Sequence, residues 1–413
     1  MEYGLIGEKL GHSYSKLIHE KLGYYSYDLV EISKDRLESF IKEKDFKGIN
    51  VTIPYKEAVI PFLDFIDEGA KAIGAVNTIV NKAGKLYGYN TDFYGLLNLL
   101  KETGFDFAGK KVLVLGTGGT CKTAKAVLEA LRVKDIVVVS RSKSDNTVTY
   151  EEACEYHKDA DFIVNTTPSG MYPNIEAQAI DLSGFSKLSG VADVIYNPLR
   201  TRILLQAESM NIPAYSGLKM LVYQAIVAAE YFLDKKIDIK VSDSIFKYVR
   251  SLNENIVLIG MPGAGKTTIG KKLSKLLNMD FVDTDALIEK RENRKITDIF
   301  SQSGEGYFRD TEAAIVKEVS GLKKTIIATG GGAILRKESV LNLKAYGRLV
   351  FLNRKPSALV PTDDRPLADS DDKMVKLYQE RLPIYESICD ISVDGELGID
   401  GEIEEIVRYM DEH

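Results

Sequence analysis

NIVLIGMPGAGKTTIGKKLSKLL, residues 255–277, decides the fold of the second part of this chain. An apolar run is followed by a glycine-rich turn and then by a segment whose apolar residues recur with a helical period. The turn matches the pattern GxxxxGK[ST] from Gly260 to Thr267. In such a loop the backbone N–H groups and the lysine hold phosphates. The order of strand, glycine loop and helix therefore predicts a P-loop nucleotide-binding domain.

The nucleotide predicted for this loop is ATP with Mg²⁺. Backbone N–H groups would surround the β- and γ-phosphates, Lys266 would neutralise them, and Thr267 would bind the metal ion. Downstream, Asp283 and Asp285 lie in FVDTDALI, and one of these carboxylates can support Mg²⁺ through water while the other holds an acceptor hydroxyl. The residues predicted to bind the nucleotide or its metal are Gly260, Gly263, Gly265, Lys266, Thr267, Thr268 and Asp283.

The phosphate acceptor must be bound by residues outside the loop. Arg309 can pair with a substrate carboxylate, and the glycines 330–332 after the strand TIIAT would let a substrate approach the backbone. Each of these residues also has a purely structural interpretation. The two aspartates can form a helix N-cap and its first turn, the arginine a surface ion pair, and the glycines a turn.

A second strand, glycine turn and helix occur at residues 110–131, KKVLVLGTGGTCKTAKAVLEAL. Gly116, Gly118 and Gly119 resemble a dinucleotide-binding fingerprint, although Cys121 replaces its third glycine. The next strand ends in SRSK, where an NAD enzyme would present an acid to the ribose. Arg141 suits a 2′-phosphate, so NADP(H) is predicted. A surface arginine on a loop is the structural alternative.

Polar residues at a strand end and in the amino-terminal part of the chain complete this second prediction. Asn165, Thr166 and Thr167 follow the strand DFIVN, where a doubly wound sheet forms its binding crevice, or they serve only as turn residues. Upstream, the polar clusters indicate a polyol substrate that carries a carboxylate. Hydride reduction of a ketone leaves an alkoxide, and Lys56 steered by Asp92 can protonate it. Alternatively, Ser13 and Asp92 are N-caps and Asn77 is a strand-end residue.

The chain has 413 residues, which is more than one hydrophobic core normally supports. Short apolar runs alternate with helical segments in two series, which a charged stretch separates. This alternation predicts an α/β protein with parallel sheets. We predict a two-lobed nucleotide-binding part followed by a P-loop domain with a parallel sheet. The predicted boundaries are 1–100 for a substrate lobe completed by 216–235, 101–215 for a Rossmann lobe, 236–253 for a linker, and 254–413 for the P-loop domain.

Composition excludes several classes of protein. Net charge is −6, so the basic excess of a nucleic-acid binder is absent. Three widely spaced cysteines and four histidines form neither a disulfide framework nor a zinc-ligand pattern. No stretch approaches the length of apolar sequence that crosses a bilayer, and the first residues do not form a signal peptide. We therefore expect a cytoplasmic protein with small-molecule partners; its oligomeric state is left open.

The ordered motifs of residues 1–233 resemble shikimate dehydrogenase. They are SxS, NVTxPxK, GAVNT, NTD, GxGG, NTTPxG, YNPLxT and GxxMLVxQA. The resemblance implies that Lys56 and Asp92 form the catalytic pair and that Gly217 adjoins the nicotinamide. The residues it implies for shikimate are Ser13, Ser15, Asn50, Thr52, Asn77, Tyr196 and Gln224. Ser216 departs from the family, which commonly has aspartate there.

Residues 255–413 resemble shikimate kinase through GMPGAGKTTIG, DTD, ITDIFSQSGEGYFRDTE, ATGGGAI, DRPLA and YQERLPIYES. The resemblance implies that Arg365 is a lid arginine that closes over the transferred phosphate, although residues 356–364 lack the basic residues that related lids often carry. Asp285 would also activate the attacked hydroxyl. The residues it implies for shikimate are Asp285, Arg309, Gly331, Gly332 and Arg381.

The two resemblances converge on one metabolite, because the product of the first reaction is the acceptor of the second. We predict a bifunctional enzyme that reduces 3-dehydroshikimate with NADPH and phosphorylates shikimate with Mg-ATP. The enzymatic alternative is a quinate-type dehydrogenase joined to a gluconate-kinase-like module. A non-catalytic sensor of the same ligands is the alternative from another class.

Overall fold

A computed structural model describes residues 1–11, 14–359 and 371–412 of the chain. The contacts divide the chain into two compact units, Met1–Arg250 and Ser251–His413. Within the described residues, none of the helices combines the length and apolar character that a membrane span requires.

The first lobe of unit 1 is a mixed six-stranded sheet in the order β2-β1-β3-β5-β6-β4. Its strands are β1 (Tyr3–Gly7), β2 (Asp28–Glu31), β3 (Gly48–Val51), β4 (Phe65–Ile66), β5 (Thr78–Lys82) and β6 (Lys85–Tyr89). Its helices are α1 (Tyr14–Leu22), α2 (Leu37–Glu43), α3 (Glu68–Ile73) and α4 (Thr91–Glu102). Unlike the predicted parallel sheet, β5 runs antiparallel to both β3 and β6. The tight turn Ala83-Gly84 explains the pairing of β5 with β6, because its φ angles of 51° and 82° suit a two-residue hairpin.

The second lobe is a doubly wound sheet in the order β12-β11-β10-β7-β8-β9. Its strands, which are all parallel, are β7 (Lys111–Leu115), β8 (Asp135–Ser140), β9 (Val148–Thr149), β10 (Phe162–Asn165), β11 (Gly190–Asp193) and β12 (Ala214–Ser216). Its helices are α5 (Gly119–Ala130), α6 (Tyr150–Tyr156) and α7 (Arg202–Ser209). The strand order reverses between β7 and β10, where such sheets form their binding crevice.

Two helices follow the second lobe. Helix α8 (Leu218–Leu233) packs on α4 and returns to the first lobe, where Phe232 joins a cluster with Tyr3 and Leu5. Helix α9 (Ile239–Ser251) covers most of the predicted linker. It buries Ile245 and Val249 against α1 and α8, because its apolar residues recur with a helical period along one face.

Unit 2 is a parallel five-stranded sheet in the order β14-β15-β13-β16-β17. Its strands are β13 (Asn255–Ile259), β14 (Asp280–Asp283), β15 (Thr325–Ala328), β16 (Gly347–Asn353) and β17 (Ile391–Asp394). Its helices are α10 (Lys266–Leu277), α11 (Thr284–Glu292), α12 (Ile296–Ser320), α13 (Lys337–Tyr346), α14 (Asp371–Ile388) and α15 (Gly398–Glu412). The central strand β13 is buried along its whole length, which explains its uninterrupted apolar run.

Candidate active sites

A cavity of about 420 Å³ in unit 1 brings together polar residues that are far apart in the sequence. Strand β3 and the loop after it supply Asn50, Thr52 and Lys56, while α4 and α8 supply Asp92 and Gln224. The predicted substrate and nicotinamide residues that line the cavity are Ser15, Asn50, Thr52, Lys56, Asn77, Asp92, Tyr196, Gly217 and Gln224. Ser13 lies outside the described residues.

Lys56 and Asp92 form an ion pair within this cavity. Lys56 Nζ donates to Asp92 Oδ2 at 2.5 Å, and both side chains are only partly exposed. Asp92 is not the N-cap of α4, because Asn90 fills that position and accepts a hydrogen bond from Phe93 N. The N-cap alternative for Asp92 is therefore wrong: Asp92 lies in the first turn of α4, and its carboxylate pairs with Lys56. A lysine oriented by a carboxylate in a substrate-sized cavity has the geometry of a proton donor.

The Asn77 amide is held in one orientation by α4. Its Oδ1 accepts hydrogen bonds from Thr91 N at 2.7 Å, from Thr91 Oγ1 at 3.2 Å, and from Thr78 Oγ1 at 3.1 Å. Since the oxygen is used by the protein, the Nδ2 group is the one available to the cavity. Thr91 is fully buried. Its supporting role was not evident from the sequence, where it appears only beside Asp92.

The predicted cofactor turn lies at the reversal point of the second sheet. Gly116 has a φ of 103°, and a Cβ there would lie 2.8 Å from Thr167 Cγ2, so a side chain does not fit. Gly118 is the N-cap residue of α5, whose first N–H groups are suited to a pyrophosphate. Gly116 N donates to Val139 O at 2.8 Å, which places the end of β8, and Arg141 just beyond it, beside the turn.

Asn165 contributes to this crevice through positioning. It is fully buried, its Oδ1 accepts hydrogen bonds from Thr167 N and Thr167 Oγ1, and its Nδ2 donates to Asp193 Oδ1 at 3.0 Å. Thr166 Oγ1 donates to Leu115 O at 2.6 Å. The Asn165 amide thus fixes the loop after β10. Contact of Thr166 and Thr167 with the cofactor stays a prediction.

Asp193 at the end of β11 was missed in the sequence. It is fully buried, and burial raises its pKa from 3.8 to about 6, although hydrogen bonds from Thr201, Ile195 N and Asn165 act in the opposite direction. The carboxylate connects the loops after β10 and β11. The sequence gives no clear indication of this role, because a single acidic residue at the end of an apolar run is also a common turn residue.

We expect Asp193→Asn to remove a pH dependence of stability. Because the native pKa is raised, the native state binds more protons than the unfolded state between pH 3.8 and about 6. Stability that this group contributes is therefore present at low pH and is lost as the pH rises through this window, by about 3 kcal/mol in total. The neutral, isosteric variant lacks this loss.

The measurement is urea unfolding of the wild type and the variant at several pH values, followed by circular dichroism because the chain has no tryptophan. The transition of unit 1 is identified by its shift when NADP⁺ is added. Wild-type stability should fall relative to the variant as the pH rises from about 4 to about 7. Parallel stability curves for the two proteins would contradict the prediction.

A second cavity, of about 480 Å³, lies in unit 2 at the P-loop. The predicted residues that line it are Gly263, Gly265, Lys266, Thr267, Thr268, Asp283, Asp285, Arg309, Gly331, Gly332 and Arg381. Gly260 lies at the start of the loop with a φ of 147° and is not among the lining residues. Arg365 lies outside the described residues.

The P-loop side chains are positioned for a nucleotide and its metal ion. Lys266 Nζ donates to Gly260 O at 2.8 Å and to Met261 O at 2.9 Å, so it bends back over the loop. Asp283 Oδ1 accepts from the N–H groups of Asp285 and Ala286 and caps α11, while its Oδ2 accepts from Thr267 Oγ1 at 2.6 Å. The N-cap alternative for Asp283 is thus correct, and its second oxygen still faces the threonine. A hydroxyl beside a carboxylate fits Mg²⁺, which uses few protein ligands together with phosphates and water.

The acceptor side of this cavity is formed by arginines packed on a glycine turn. Arg381 is buried, and its Nη1 donates to Gly331 O at 2.9 Å. Burial lowers the pKa of Arg381 below its ordinary value, although it remains a cation at physiological pH. A Cβ on Gly332 would lie 2.0 Å from Arg309 Nη1, so only glycine lets this guanidinium approach. Two guanidinium groups at one end of the cavity suit an anionic acceptor.

Glu312 orients Arg309 and was also missed in the sequence. Its Oε2 accepts from Arg309 Nη1 at 2.8 Å, while its side chain is 4% exposed. Burial raises the pKa of this carboxyl, and the Arg309 charge acts against that rise. The sequence feature that could have predicted this contact is the spacing of the two residues. Glu312 follows Arg309 by three positions on one helix, which places both side chains on the same face.

We expect Glu312→Gln to raise the KM of the acceptor in the kinase reaction about tenfold, because the mostly buried Arg309 guanidinium loses its buried charged partner and keeps the half-exposed Glu305. The effect on the KM of ATP should be less than about twofold. Glu305→Gln is the matched control, since Glu305 also accepts hydrogen bonds from Arg309 but is half exposed. Steady-state kinetics with each substrate varied checks both variants. Equal effects of the two substitutions would contradict the special role of the buried carboxylate.

The two units define a class of protein: an oxidoreductase with a dinucleotide-binding lobe, joined to a P-loop phosphotransferase. Comparison with known families gives the finer identity. A family model described as the shikimate dehydrogenase substrate binding domain matches residues 5–79. The model described as shikimate kinase matches residues 262–411.

Individual relatives agree with this assignment. The chain is 40% identical over 266 residues to the shikimate dehydrogenase (NADP(+)) of Clostridium perfringens (strain SM101 / Type A), and the match covers 60% of this chain and 98% of the relative. A crystal structure of shikimate dehydrogenase 1 from Peptoclostridium difficile matches with a TM-score of 0.54 and 39% identity, covering 60% of this chain and 98% of that one. A shikimate 5-dehydrogenase from Thermus thermophilus, in complex with NADP(H) and shikimate, matches with a TM-score of 0.54 and 29% identity over 60% and 99% of the two chains.

The chain belongs to the shikimate dehydrogenase family and carries a shikimate kinase domain after the dehydrogenase part. The predicted fold class and both predicted resemblances are confirmed.

Proposed function

We propose that this chain is a bifunctional enzyme that reduces 3-dehydroshikimate to shikimate with NADPH and phosphorylates shikimate to shikimate 3-phosphate with Mg-ATP. The observation that carries the proposal is that both units, each with its own family assignment, point to the same metabolite. Each unit also has a cavity with the groups that its reaction needs. The cytoplasm remains the predicted compartment.

In the dehydrogenase reaction, NADPH supplies the hydride to the carbonyl carbon of the substrate. Lys56 then gives a proton to the oxygen that becomes the new hydroxyl group. The Asp92 carboxylate directs the lysine within the cavity through their 2.5 Å hydrogen bond. Asn77 offers its Nδ2 group to a substrate oxygen because its own oxygen is used by Thr91 and Thr78.

In the kinase reaction, Mg-ATP supplies the phosphoryl group. Thr267 and Asp283 would hold the metal ion, and Lys266 would move from the loop carbonyls to the phosphates. Arg309 and Arg381 bind the carboxylate end of shikimate. Asp285 lines the same cavity and is the residue proposed to accept the hydroxyl proton. As that O–H bond breaks, the oxygen would attack the γ-phosphorus, the bond from this phosphorus to the bridging oxygen would break, and ADP would leave.

The decisive experiment incubates the purified full chain with 3-dehydroshikimate, NADPH, ATP and Mg²⁺ and follows the products by mass spectrometry. We expect shikimate to form first and shikimate 3-phosphate to follow. Parallel reactions with quinate and gluconate test the alternative enzyme pair, and turnover of those compounds in preference to shikimate would overturn the proposal. Ligand binding without turnover of any substrate would instead support a sensor.

A further inference from the structure

A layer of buried aromatic residues lies behind the substrate cavity of unit 1 and contacts Asn50. Tyr27 is fully buried, and its hydroxyl donates to Asn50 Oδ1 at 2.7 Å. Its ring stacks on His19, with the ring centroids 4.1 Å apart and the planes 5° from parallel. Asn50 itself lines the cavity. The residue in the cavity wall is therefore held from behind by a side chain that does not line it.

The direction of the Tyr27 hydrogen bond fixes which end of the Asn50 amide is a donor. Because Oδ1 accepts from a phenol, Nδ2 must point to the opposite side. There it donates to Thr78 Oγ1 at 2.9 Å and, over a longer distance of 3.3 Å, to Asn77 O. The longer bond is the weaker of the two, so the N–H that makes it is the one that a ligand oxygen in the cavity can share as a second acceptor.

His19 supports the same orientation. It is 1% exposed, and burial lowers its pKa from 6.5 to about 3, so the ring is neutral at physiological pH. Its Nδ1 lies 2.7 Å from the Tyr25 hydroxyl, and its ring stacks on Tyr27. In a neutral imidazole one nitrogen donates and the other accepts. The hydrogen bond between Nδ1 and Tyr25 holds the ring against the face of Tyr27, whose hydroxyl donates to Asn50.

We propose that Tyr27 and His19 are positioning residues for the dehydrogenase reaction: they direct the Asn50 amide so that this part of the cavity donates a hydrogen bond to an oxygen of the substrate. The inference rests on the proposed function of unit 1. Asn50 and Asn77 then act alike, since in both the amide oxygen is taken by buried protein donors. The cavity selects for a ligand rich in acceptor oxygens.

The test is Tyr27→Phe, which removes one hydroxyl and leaves the ring stack. We expect the KM of shikimate in NADP⁺-dependent oxidation to rise about tenfold, the effect of weakening one oriented hydrogen bond. Both kcat and the KM of NADP⁺ should change by less than about twofold. A loss of packing alone would not raise the KM of shikimate while leaving the KM of NADP⁺ unchanged. This difference between the two KM values therefore distinguishes a positioning role from a structural one.

Tyr55→Phe is the matched control. Tyr55 is also buried in the first lobe, and its hydroxyl donates to Ile32 O at 2.5 Å without contacting Asn50. It is next to Lys56 in the sequence, which makes it a stringent control, and it should leave the KM of shikimate unchanged. An equal rise of that KM in the Tyr55 and Tyr27 variants would overturn the inference, as would no rise in the Tyr27 variant.

Tyr25→Phe is the second test variant, to be used if Tyr27→Phe fails to fold. Loss of NADP⁺ binding by the Tyr27 variant would reveal such a failure. Tyr25→Phe removes the hydrogen bond to His19, one step farther from Asn50, and should raise the KM of shikimate about threefold. No change in that KM would then overturn the inference. The wild-type reaction separates this result from failure of the proposed function, because a wild-type chain that binds NADP⁺ without oxidising shikimate would overturn both.

Discussion

Lys56→Ala is expected to lower kcat for NADP⁺-dependent shikimate oxidation by about 10³-fold, the contribution typical of a positioned acid or base. Among the described residues that line the cavity, Lys56 is the cation that pairs with Asp92, and alanine cannot supply the proton that the alkoxide needs. In the direction of oxidation, the same lysine must remove the hydroxyl proton. Spectroscopic detection of NADPH gives the rate.

Two comparisons control the Lys56 result. Lys71→Ala removes an exposed lysine of the first lobe that pairs with Glu68 at 2.7 Å, and it should leave the rate unchanged. The kinase activity of the Lys56 variant should also equal that of wild type, because Lys56 and the P-loop belong to different compact units. A loss of less than about tenfold in the Lys56 variant would remove this residue from the proton-transfer step.

Lys266→Ala is expected to lower kcat of shikimate phosphorylation by about 10³-fold. The P-loop lysine is proposed to neutralise the transferred phosphate, and the loss of one preorganised donor to a developing charge has an effect of this size. Its ammonium group donates to two loop carbonyls, so the variant also loses contacts that shape the loop. Coupled detection of ADP gives the rate.

The matched control for this second variant lies on the same helix. Lys272→Ala removes an exposed lysine that pairs with Asp400 at 3.1 Å, and it should change the kinase rate by less than about twofold. Dehydrogenase activity in the Lys266 variant serves as an internal measure of folding. A kinase rate close to wild type would exclude the proposed role of this lysine in charge neutralisation.

Local patterns in the sequence were sufficient to predict the nucleotide sites. The P-loop is a contiguous stretch in which the glycine spacing, the lysine and the threonine all serve phosphate binding. Residues 260–267 therefore predict a phosphate-binding site without any knowledge of the tertiary structure. The first glycine turn and Arg141 are likewise separated by one βα unit. The residue types proposed Lys56 and Asp92 as a catalytic pair beside an N-cap alternative for Asp92, and the family resemblance favoured the catalytic interpretation.

The supporting residues were not predictable in this way. Asn90, and not Asp92, caps α4, because both are polar residues before the same apolar run and only the backbone geometry separates them. Glu312 and Asp193 are buried acids that act through hydrogen bonds. Glu312 orients an arginine one turn away on the same helix, and Asp193 accepts from Asn165 at the end of the neighbouring strand. Tyr27 reads in the sequence as an ordinary core aromatic residue.

The sequence by itself determined the α/β class and the two nucleotide-binding loops, because these depend on contacts between near neighbours in the chain, while the resemblance to known families supplied the residues of both reactions. Only the tertiary structure decided how amides and guanidinium groups are oriented. That orientation depends on buried partners such as Tyr27 for Asn50 and Thr91 for Asn77, which strand pairing and helix packing bring together from distant positions. Hydrogen bonds act over about 3 Å, so their direction is set by the folded core.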